Sequence, residues 1–378
     1  MGLYDGRRRA TLPGNHGGVM ADGSGWPGSG RDIGGHSVVH GDCLAVMAAM
    51  EAESVDVVVT SPPYNINLAY ASYRDSKTDE EYLHWLVEVF AALRRLLRPG
   101  GSVFLNLSGS PSRPWLPFEA ITRLRPLFQL QNHITWVKSI AAGGGSYGHY
   151  KPVPGGRFLH HTHEHVFHLT LTGDVRLDRL AIGVPFQDKS NIARRGHARD
   201  LRCRGNTWFI PYATVRSKQG KFNHPGAFPV ELPLWCLHLT GVPSPVVLDP
   251  FAGTGSTLVA AGWAGGRGIG IEVDAGYVET MRARLTEEQG TRRIVLDAEE
   301  MGSLLHDASS CPAPARALVA CLQDRLNKTT GSLALMPGDL VQLRRQVGRA
   351  GDAGWADRLA AAFGRHLDSG RPVSGCGT

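Results

Sequence analysis

Two short strings place reactive side chains directly after apolar runs. The first, Thr60-Ser61-Pro62-Pro63-Tyr64-Asn65, follows Val55 to Val59. Ser61 Oγ and the Pro62 carbonyl are hydrogen-bond acceptors, and the two prolines stiffen the loop and remove backbone donors that would compete. Tyr64 adds a flat ring for stacking against a base. Such a set suits an exocyclic amino group, a poor nucleophile because its lone pair is delocalised into the ring. Acceptors fixed around that nitrogen draw it towards sp³ geometry and aim the lone pair, an effect of orientation and preorganised electrostatics.

The second string, Asp249-Pro250-Phe251-Ala252-Gly253-Thr254-Gly255-Ser256-Thr257, follows Val246 to Leu248. Gly253 and Gly255 permit a sharp turn and close backbone approach to a ligand, while Ser256 or Thr257 can cap a following helix. A dinucleotide fingerprint would want a small residue where Leu258 stands, and a phosphate-cradling loop would want Gly-Lys-Ser/Thr. A nucleoside without phosphate fits better: Asp249 would attract a positively charged group, and Glu272 stands where a ribose-binding carboxylate is expected. A simple tight turn remains the competing reading of Phe-Ala-Gly-Thr-Gly.

The elements that must position these strings alternate in type. Ser37 to His40 reads as a strand. Gly41-Asp42-Cys43 then leads a helix through Met50, with Asp42 a natural N-cap. Thr78-Asp79-Glu80-Glu81 has the form of a capping box, followed by Leu83, Leu86, Val87, Phe90, Leu93 and Leu97 at helical spacing and stopped by Pro99-Gly100-Gly101. Strands are expected at 102–107, 134–137 and 165–171, with a loop over 139–157 between the last two. A helix over 230–239 precedes a βαβα unit: strand 246–249, helix 256–262, strand 268–272 and a helix through Arg284. This alternation predicts an α/β fold, a mostly parallel twisted sheet covered by helices on both faces.

The order of the strings resembles that of one enzyme family. Ser61-Pro62-Pro63-Tyr64 resembles the catalytic motif of amino-methylating DNA methyltransferases, and Asp249 to Ser256 resembles their S-adenosylmethionine motif. Catalytic motif first and cofactor motif last is the order of the family's β class. The resemblance, covering roughly residues 36–286, implies a Rossmann-like methyltransferase fold with Ser61, Pro62, Pro63 and Tyr64 at the catalytic site. It implies cofactor contacts from Asp249, Pro250, Phe251, Gly253, Thr254, Gly255, Ser256 and Glu272. Gly41-Asp42-Cys43 resembles the segment whose carboxylate receives the adenine amino group, so Asp42 and Cys43 join that set. Phe228 joins it through Asn223-His224-Pro225-Gly226-Ala227-Phe228-Pro229, similar to the family segment that closes over the methionine end. Gly155 to Phe158, leading into His163-Glu164-His165, resembles a segment the family places near the base pocket. Direct methyl transfer to a base extruded from double-stranded DNA is then expected. No Pro-Cys dipeptide exists for a carbon-5 cytosine mechanism. Serine at the head of the motif implies N4 of cytosine, with N6 of adenine the alternative. An inert binder of S-adenosylmethionine and nucleic acid is the rival from another class.

Basic residues concentrate between Arg176 and Arg204, where the β class carries its target recognition region. Arg194, Arg195, Arg199, Arg202 and Arg204 are the DNA-contact candidates, since arginine suits guanine edges and phosphates; a solvated basic loop is the plainer reading. The net charge of +6 permits such a polyanionic partner. A homodimer and a separately acting cognate restriction endonuclease are further partners compatible with the resemblance. Histidines 160, 161, 163, 165 and 168 invite a metal reading, but the spacing lacks the usual carboxylate or cysteine partners and this chemistry needs no metal. Phe167 is either a stacking partner for the base or a core residue. The six scattered cysteines, the lack of a signal sequence and the lack of a long apolar run predict a cytoplasmic protein with free thiols and no membrane segment. The expected organisation is a disordered Gly/Arg-rich arm (1–34), a catalytic half (35–172), the recognition region (173–205), a cofactor half (206–289) and a helical C-terminal extension (290–378). Candidate helices in that extension span 317–326, 338–347 and 353–367.

Overall fold

Val55 to Val59 is apolar without alternation because both of its faces are covered: Val57 and Val59 pack into one hydrophobic cluster and Val58 into the other. Such a strand belongs in the middle of a sheet. The computed structural model describes residues 30–65, 77–142, 145–148, 152–184, 186–194, 201–212, 227–288 and 292–305, with 318, 319, 322, 323, 326, 331–335, 343, 358 and 361–363 beyond. Most of the arm, Asn223 to Gly226, Arg195, Arg199 and most of the three candidate tail helices lie outside the described residues.

In chain order the elements are β1 (Arg31–Ile33), β2 (His36–His40), α1 (Cys43–Ala49), β3 (Val55–Thr60), α2 (Asp79–Leu96) and β4 (Leu97–Leu107). Then come α3 (Leu116–Leu124), β5 (Gln129–Val137), β6 (Ser139–Ala142), β7 (Gly145–Gly148), β8 (His163–Thr170), α4 (Ser190–Arg194) and β9 (Thr207–Phe209). The cofactor half supplies α5 (Glu231–Thr240), β10 (Val246–Asp249), α6 (Ser256–Trp263), β11 (Arg267–Glu272) and α7 (Ala275–Glu287). The tail adds β12 (Arg292–Val295), α8 (Ala298–Leu305) and β13 (Ser332–Leu335).

Nine strands form one sheet in the order β1-β2-β11-β10-β3-β4-β8-β5-β9. The central run from β2 through β11, β10 and β3 to β4 is parallel, whereas β8 is antiparallel to both β4 and β5. Side chains from α1, α2 and α3 fill one face and those from α5, α6 and α7 the other, as the alternation predicted. The chain leaves β3 over one face to reach β4, and leaves β10 over the other to reach β11. The β3/β10 boundary is therefore a topological switch point, where a crevice opens beyond the strand ends.

Local signals set the elements' ends. The capping box at Thr78 is formed, with Glu81 N donating to Thr78 Oγ1 and Thr78 N to Glu81 Oε2 at 2.9 Å. Helix α2 ends at Leu96, and the chain is extended from Leu97, through Pro99-Gly100-Gly101, rather than from Ser102. The segment expected as a loop over 139–157 contains the β6–β7 hairpin. The tail departs from the purely helical expectation. β12 pairs antiparallel with β13, and Leu333 and Leu335 are buried two residues apart, the period of a strand. With Ile294, Leu296, Leu318, Leu322 and Phe363 they build a separate small core. None of the described helices is long and apolar enough to cross a membrane.

Candidate active site

The two motif loops meet at the switch point. Thr60, the last residue of β3, donates from Oγ1 to Asp249 Oδ1 at the end of β10 over 2.7 Å, tying the strand ends together. Thr257 Oγ1 donates to Asp249 Oδ2 at 2.7 Å and Phe251 N to Oδ1 at 3.1 Å. The Asp249 carboxylate is 1% exposed, and among the described residues no cationic side chain is paired with it. Burial pushes its carboxyl up to about 6. Gly253 and Gly255 both adopt positive φ, 51° and 83°, and a Cβ on Gly255 would stand 2.6 Å from Met281 Cγ, so this turn needs glycine for both conformation and space.

Beside this turn lies a cavity of about 220 Å³. Its walls include Gly41, Asp42, Cys43, Ser61, Pro63, Trp85, Pro250, Phe251 and Glu272, so it brings together residues from both motifs and from the Gly41-Asp42-Cys43 turn. Trp85 and Phe251 lie with centroids 5.4 Å apart, an aromatic wall suited to a purine. Glu272 accepts from Gly253 N at 2.8 Å and Asp274 N at 2.9 Å, and burial raises its carboxyl. Asp42 is the N-cap of α1, accepting from Ala45 N at 3.0 Å, while also facing the cavity; capping and ligand-facing roles coincide there. Burial, with Asp42 nearby, pushes the Cys43 thiol up to about 12, so Cys43 acts as a neutral wall.

A smaller cleft adjoins it, lined by Ser61, Phe228, Asp249, Phe251, Gly253, Thr254 and Ser256. Thr254 Oγ1 is buried there with no hydrogen-bond partner among the described residues. An orphaned hydroxyl and an uncompensated carboxylate around one cleft fit a ligand group carrying both charge signs, the amino-acid end of S-adenosylmethionine. The cofactor thus fits the residues present.

The catalytic loop is held from beneath. Ser61 Oγ donates to Tyr64 Oη at 2.9 Å, and Tyr64 Oη donates to Glu164 Oε2 at 2.8 Å. Asn106 Nδ2, from β4, donates to Tyr64 Oη and to Glu164 Oε2, each at 2.7 Å. Lys138 Nζ closes the network on Glu164 Oε1 at 2.8 Å. Burial pushes the Glu164 carboxyl up, but the Lys138 charge and the bonds from Lys138, Asn106 and Tyr64 outweigh it, leaving it below the usual glutamate value. Asn65, at φ 55°, joins the loop to the start of α2: its amide donates to the Lys77 carbonyl at 2.8 Å and receives Lys77 N at 2.9 Å. Asn106, Lys138 and Trp85 were not singled out from the sequence. Glu164 enters the sequence reading only within His163-Glu164-His165, the segment whose resemblance implies a place near the base pocket, and without a role of its own.

Other candidates fall elsewhere. Phe167 is 2% exposed within the core, so it is not a stacking surface for a base. His168 stacks on Phe104 at 4.5 Å and meets Ser102 and Asn132, and burial lowers its ring to about 4. The rings of His133 and His165 stack on Phe167, and His163 meets His165 edge-on. No metal-binding group of three or more such ligands occurs among the described residues. Because β8 runs antiparallel to β4, the basic stretch starts at the end of the sheet remote from the catalytic loops. Arg176, Arg179 and Arg202 border an open cleft there with Thr240 and Gly241, so Arg202 is not gathered with the catalytic loop. Arg204 is turned inward: its guanidinium lies 4.1 Å from the Trp235 ring centroid and Nε donates to the Ile182 carbonyl at 2.8 Å. Burial lowers its pKa to about 10. It is a core-packing cation and leaves the set of DNA-contact candidates. Arg194 ends the short helix α4.

Comparison with known proteins follows the same lines. Residues 55–283 match the family described as DNA methylase of the N6/N4 type. DNA adenine methyltransferase YhdJ of Escherichia coli is 27% identical over 254 residues, covering 66% of this chain and 82% of that protein. Type II methyltransferase M.BglII of Bacillus subtilis is 27% identical over 259 residues, covering 65% and 67%. Among solved structures, the cytosine-N4-specific PvuII DNA methyltransferase superposes with a TM-score of 0.50 at 18% identity, covering 72% of this chain and 94% of that one. This last likeness concerns the fold.

Proposed function

The chain belongs to the N6/N4 DNA methylase family, S-adenosylmethionine-dependent enzymes acting on DNA, and we propose that its methyl acceptor is the N4 amino group of cytosine in a specific sequence. The observation carrying this choice is Ser61 at the head of the catalytic loop, facing both the cofactor cavity and the adjoining cleft; serine at this position marks mainly the cytosine-N4 members of the family it resembles. When bound, the cofactor supplies the electrophilic methyl group.

The residues divide the remaining work. Glu272 and Asp42 receive polar groups of the nucleoside, and Trp85, Phe251 and Cys43 wall its ring. Asp249, Thr254, Ser256 and Phe228 hold the amino-acid end, and Pro250, Gly253 and Gly255 shape the turn that brings them there. Ser61 Oγ and the Pro62 carbonyl accept the two hydrogens of the target amino group, leaving its lone pair directed at the methyl. Pro63 keeps the loop rigid, and the Tyr64 ring forms a wall for the base. Arg194, Arg195 and Arg199 remain the proposed DNA contacts.

One observation favours the other acceptor: the relative YhdJ is described as an adenine methyltransferase. Nucleoside mass spectrometry on DNA incubated with the purified protein and S-adenosylmethionine separates the readings. N4-methylcytosine is the expected product; N6-methyladenine would overturn the acceptor and keep the enzyme class. Cofactor binding without any product would support an inert binder.

A further inference from the structure

A serine at the head of the catalytic loop poses a problem that a carboxylate would not. A hydroxyl both donates and accepts. If Ser61 pointed its hydrogen at the incoming amino group, two donors would face each other and the lone pair would not be drawn out. Something must occupy that hydrogen.

The network beneath the loop does so. Glu164 is ionised and therefore offers only acceptors, and its other oxygen is held by Lys138 at 2.8 Å. Tyr64 Oη, 2.8 Å from Glu164 Oε2, has one hydrogen and must direct it there. Its two lone pairs then face Asn106 Nδ2 at 2.7 Å and Ser61 Oγ at 2.9 Å. Asn106 cannot present its carbonyl in that place, since its amide also faces Glu164 Oε2 at 2.7 Å. Ser61 is left with one direction for its hydrogen, into Tyr64, because Asn106 Nδ2, 3.5 Å from Ser61 Oγ, approaches it only as a donor.

We infer that Glu164, anchored by Lys138, is a positioning residue that fixes the direction of the Glu164–Tyr64–Ser61 hydrogen-bond chain, so that Ser61 Oγ meets the target amino group as an acceptor. Glu164 touches neither base nor cofactor in this scheme and acts through Tyr64. The inference rests on the proposed contact between Ser61 and the amino group. It deepens that reading by supplying the acceptor character that the serine alone lacks. Glutamine in place of Glu164 would keep size and packing but present a donor or an acceptor to Tyr64, and the direction of the chain would no longer be fixed.

The test is a single-turnover methylation cycle at saturating cofactor, with the wild type, Glu164→Gln, Ser61→Ala and the double variant. Glu164→Gln is expected to lower the methyl-transfer rate about 10- to 100-fold, the scale of removing an orienting hydrogen bond to a charged group. Cofactor Kd and Tm should stay close to wild type. In the Ser61→Ala background the same change should cost less than about twofold, because a shared pathway is not additive. An equal loss in both backgrounds, an unchanged rate in Glu164→Gln, or a loss that tracks cofactor affinity would overturn the inference. If Glu164→Gln does not fold, Tyr64→Phe cuts the same chain at its middle and is held to the same non-additivity with Ser61→Ala. The wild-type product is read first: absence of amino methylation sinks the parent reading, whereas product with an additive cycle sinks only the role of Glu164.

Discussion

Asp249→Asn should make the free protein more stable while making it a poorer binder of S-adenosylmethionine. The wild-type carboxyl is displaced by burial from 3.8 to about 6, which at 1.36 kcal/mol per pH unit corresponds to about 3 kcal/mol against the ionised form in the folded state. The sign follows from linkage. Below about pH 3 the group is protonated folded and unfolded and costs nothing. As pH rises from about 4 to above 6, the unfolded chain ionises first and stability falls, with the full deficit present at pH 8. Asparagine removes the charge and keeps most of the hydrogen bonds. Its carbonyl can still accept from Thr60 Oγ1 and Phe251 N. Thr257 can turn its hydroxyl hydrogen to the Val59 carbonyl, already 3.3 Å away, and accept from the new amide. Allowing for imperfect repacking, we expect a gain of about 1–3 kcal/mol at pH 8, or several degrees in Tm, shrinking to about half of that at pH 5 and towards zero only below about pH 3.5.

Cofactor affinity should move the other way. A charge-assisted hydrogen bond to the cofactor's ammonium is worth about 1.5–3 kcal/mol, so its removal weakens Kd roughly 10- to 100-fold. Thermal melts at pH 5 and pH 8 with calorimetric titration of S-adenosylmethionine measure both. A variant less stable than wild type at pH 8 would refute the uncompensated buried charge. Unaltered cofactor affinity would refute the placement of Asp249 at the amino-acid end.

Ser61→Ala should cut turnover strongly and leave cofactor Kd within about twofold, since the serine is placed at the base side of the cavity; equal loss of both, by rate assay and titration, would move it to the cofactor. Replacing Arg204 by Gln should cost about 1–2 kcal/mol of stability, because the guanidinium no longer covers the Trp235 ring, and leave DNA affinity unaltered, checked by melts and DNA titration. Neutralising Arg194 and Arg195 should lower DNA affinity and reduce the slope of log K against log salt by about 0.9 for each phosphate no longer neutralised. An unchanged slope removes them from the interface.

The sheet's centre was legible because its strands are short valine-rich runs ending in loop residues that forbid continuation: Pro62 and Pro63 after β3, Pro250 and the glycines after β10. Burial on both faces leaves little choice of residue there, so the pattern is strong. The tail was misread for a related reason. Arg292–Val295 and Ser332–Leu335 are each four residues long, too short for periodicity to separate strand from helix without knowledge of the partner. Arg204 was misread because a sequence does not say which way a charge faces. A guanidinium laid on a tryptophan ring has the same letter as one laid on a phosphate.

The support of the candidate site was hidden more deeply than its motif. Ser61 and Tyr64 announce themselves by adjacency to two prolines, but Asn106 stands 45 residues from Ser61 and Glu164 100 residues from Tyr64. They come together only because β4 lies between β3 and β8 in the sheet, with Asn106 directly opposite Val166 in the β4–β8 ladder. A loop needs only local residues to adopt its shape, whereas the direction of a hydrogen bond depends on what lies beneath. The same division holds at the cofactor turn. Gly253 and Gly255 are visible as a motif, yet the charge state of Asp249 is set by its burial at the strand end, opposed by the bonds from Thr257 and Thr60, which reach it from α6 and β3. Motif residues supply the atoms that meet the substrates; the sheet order decides whether those atoms donate, accept or carry charge.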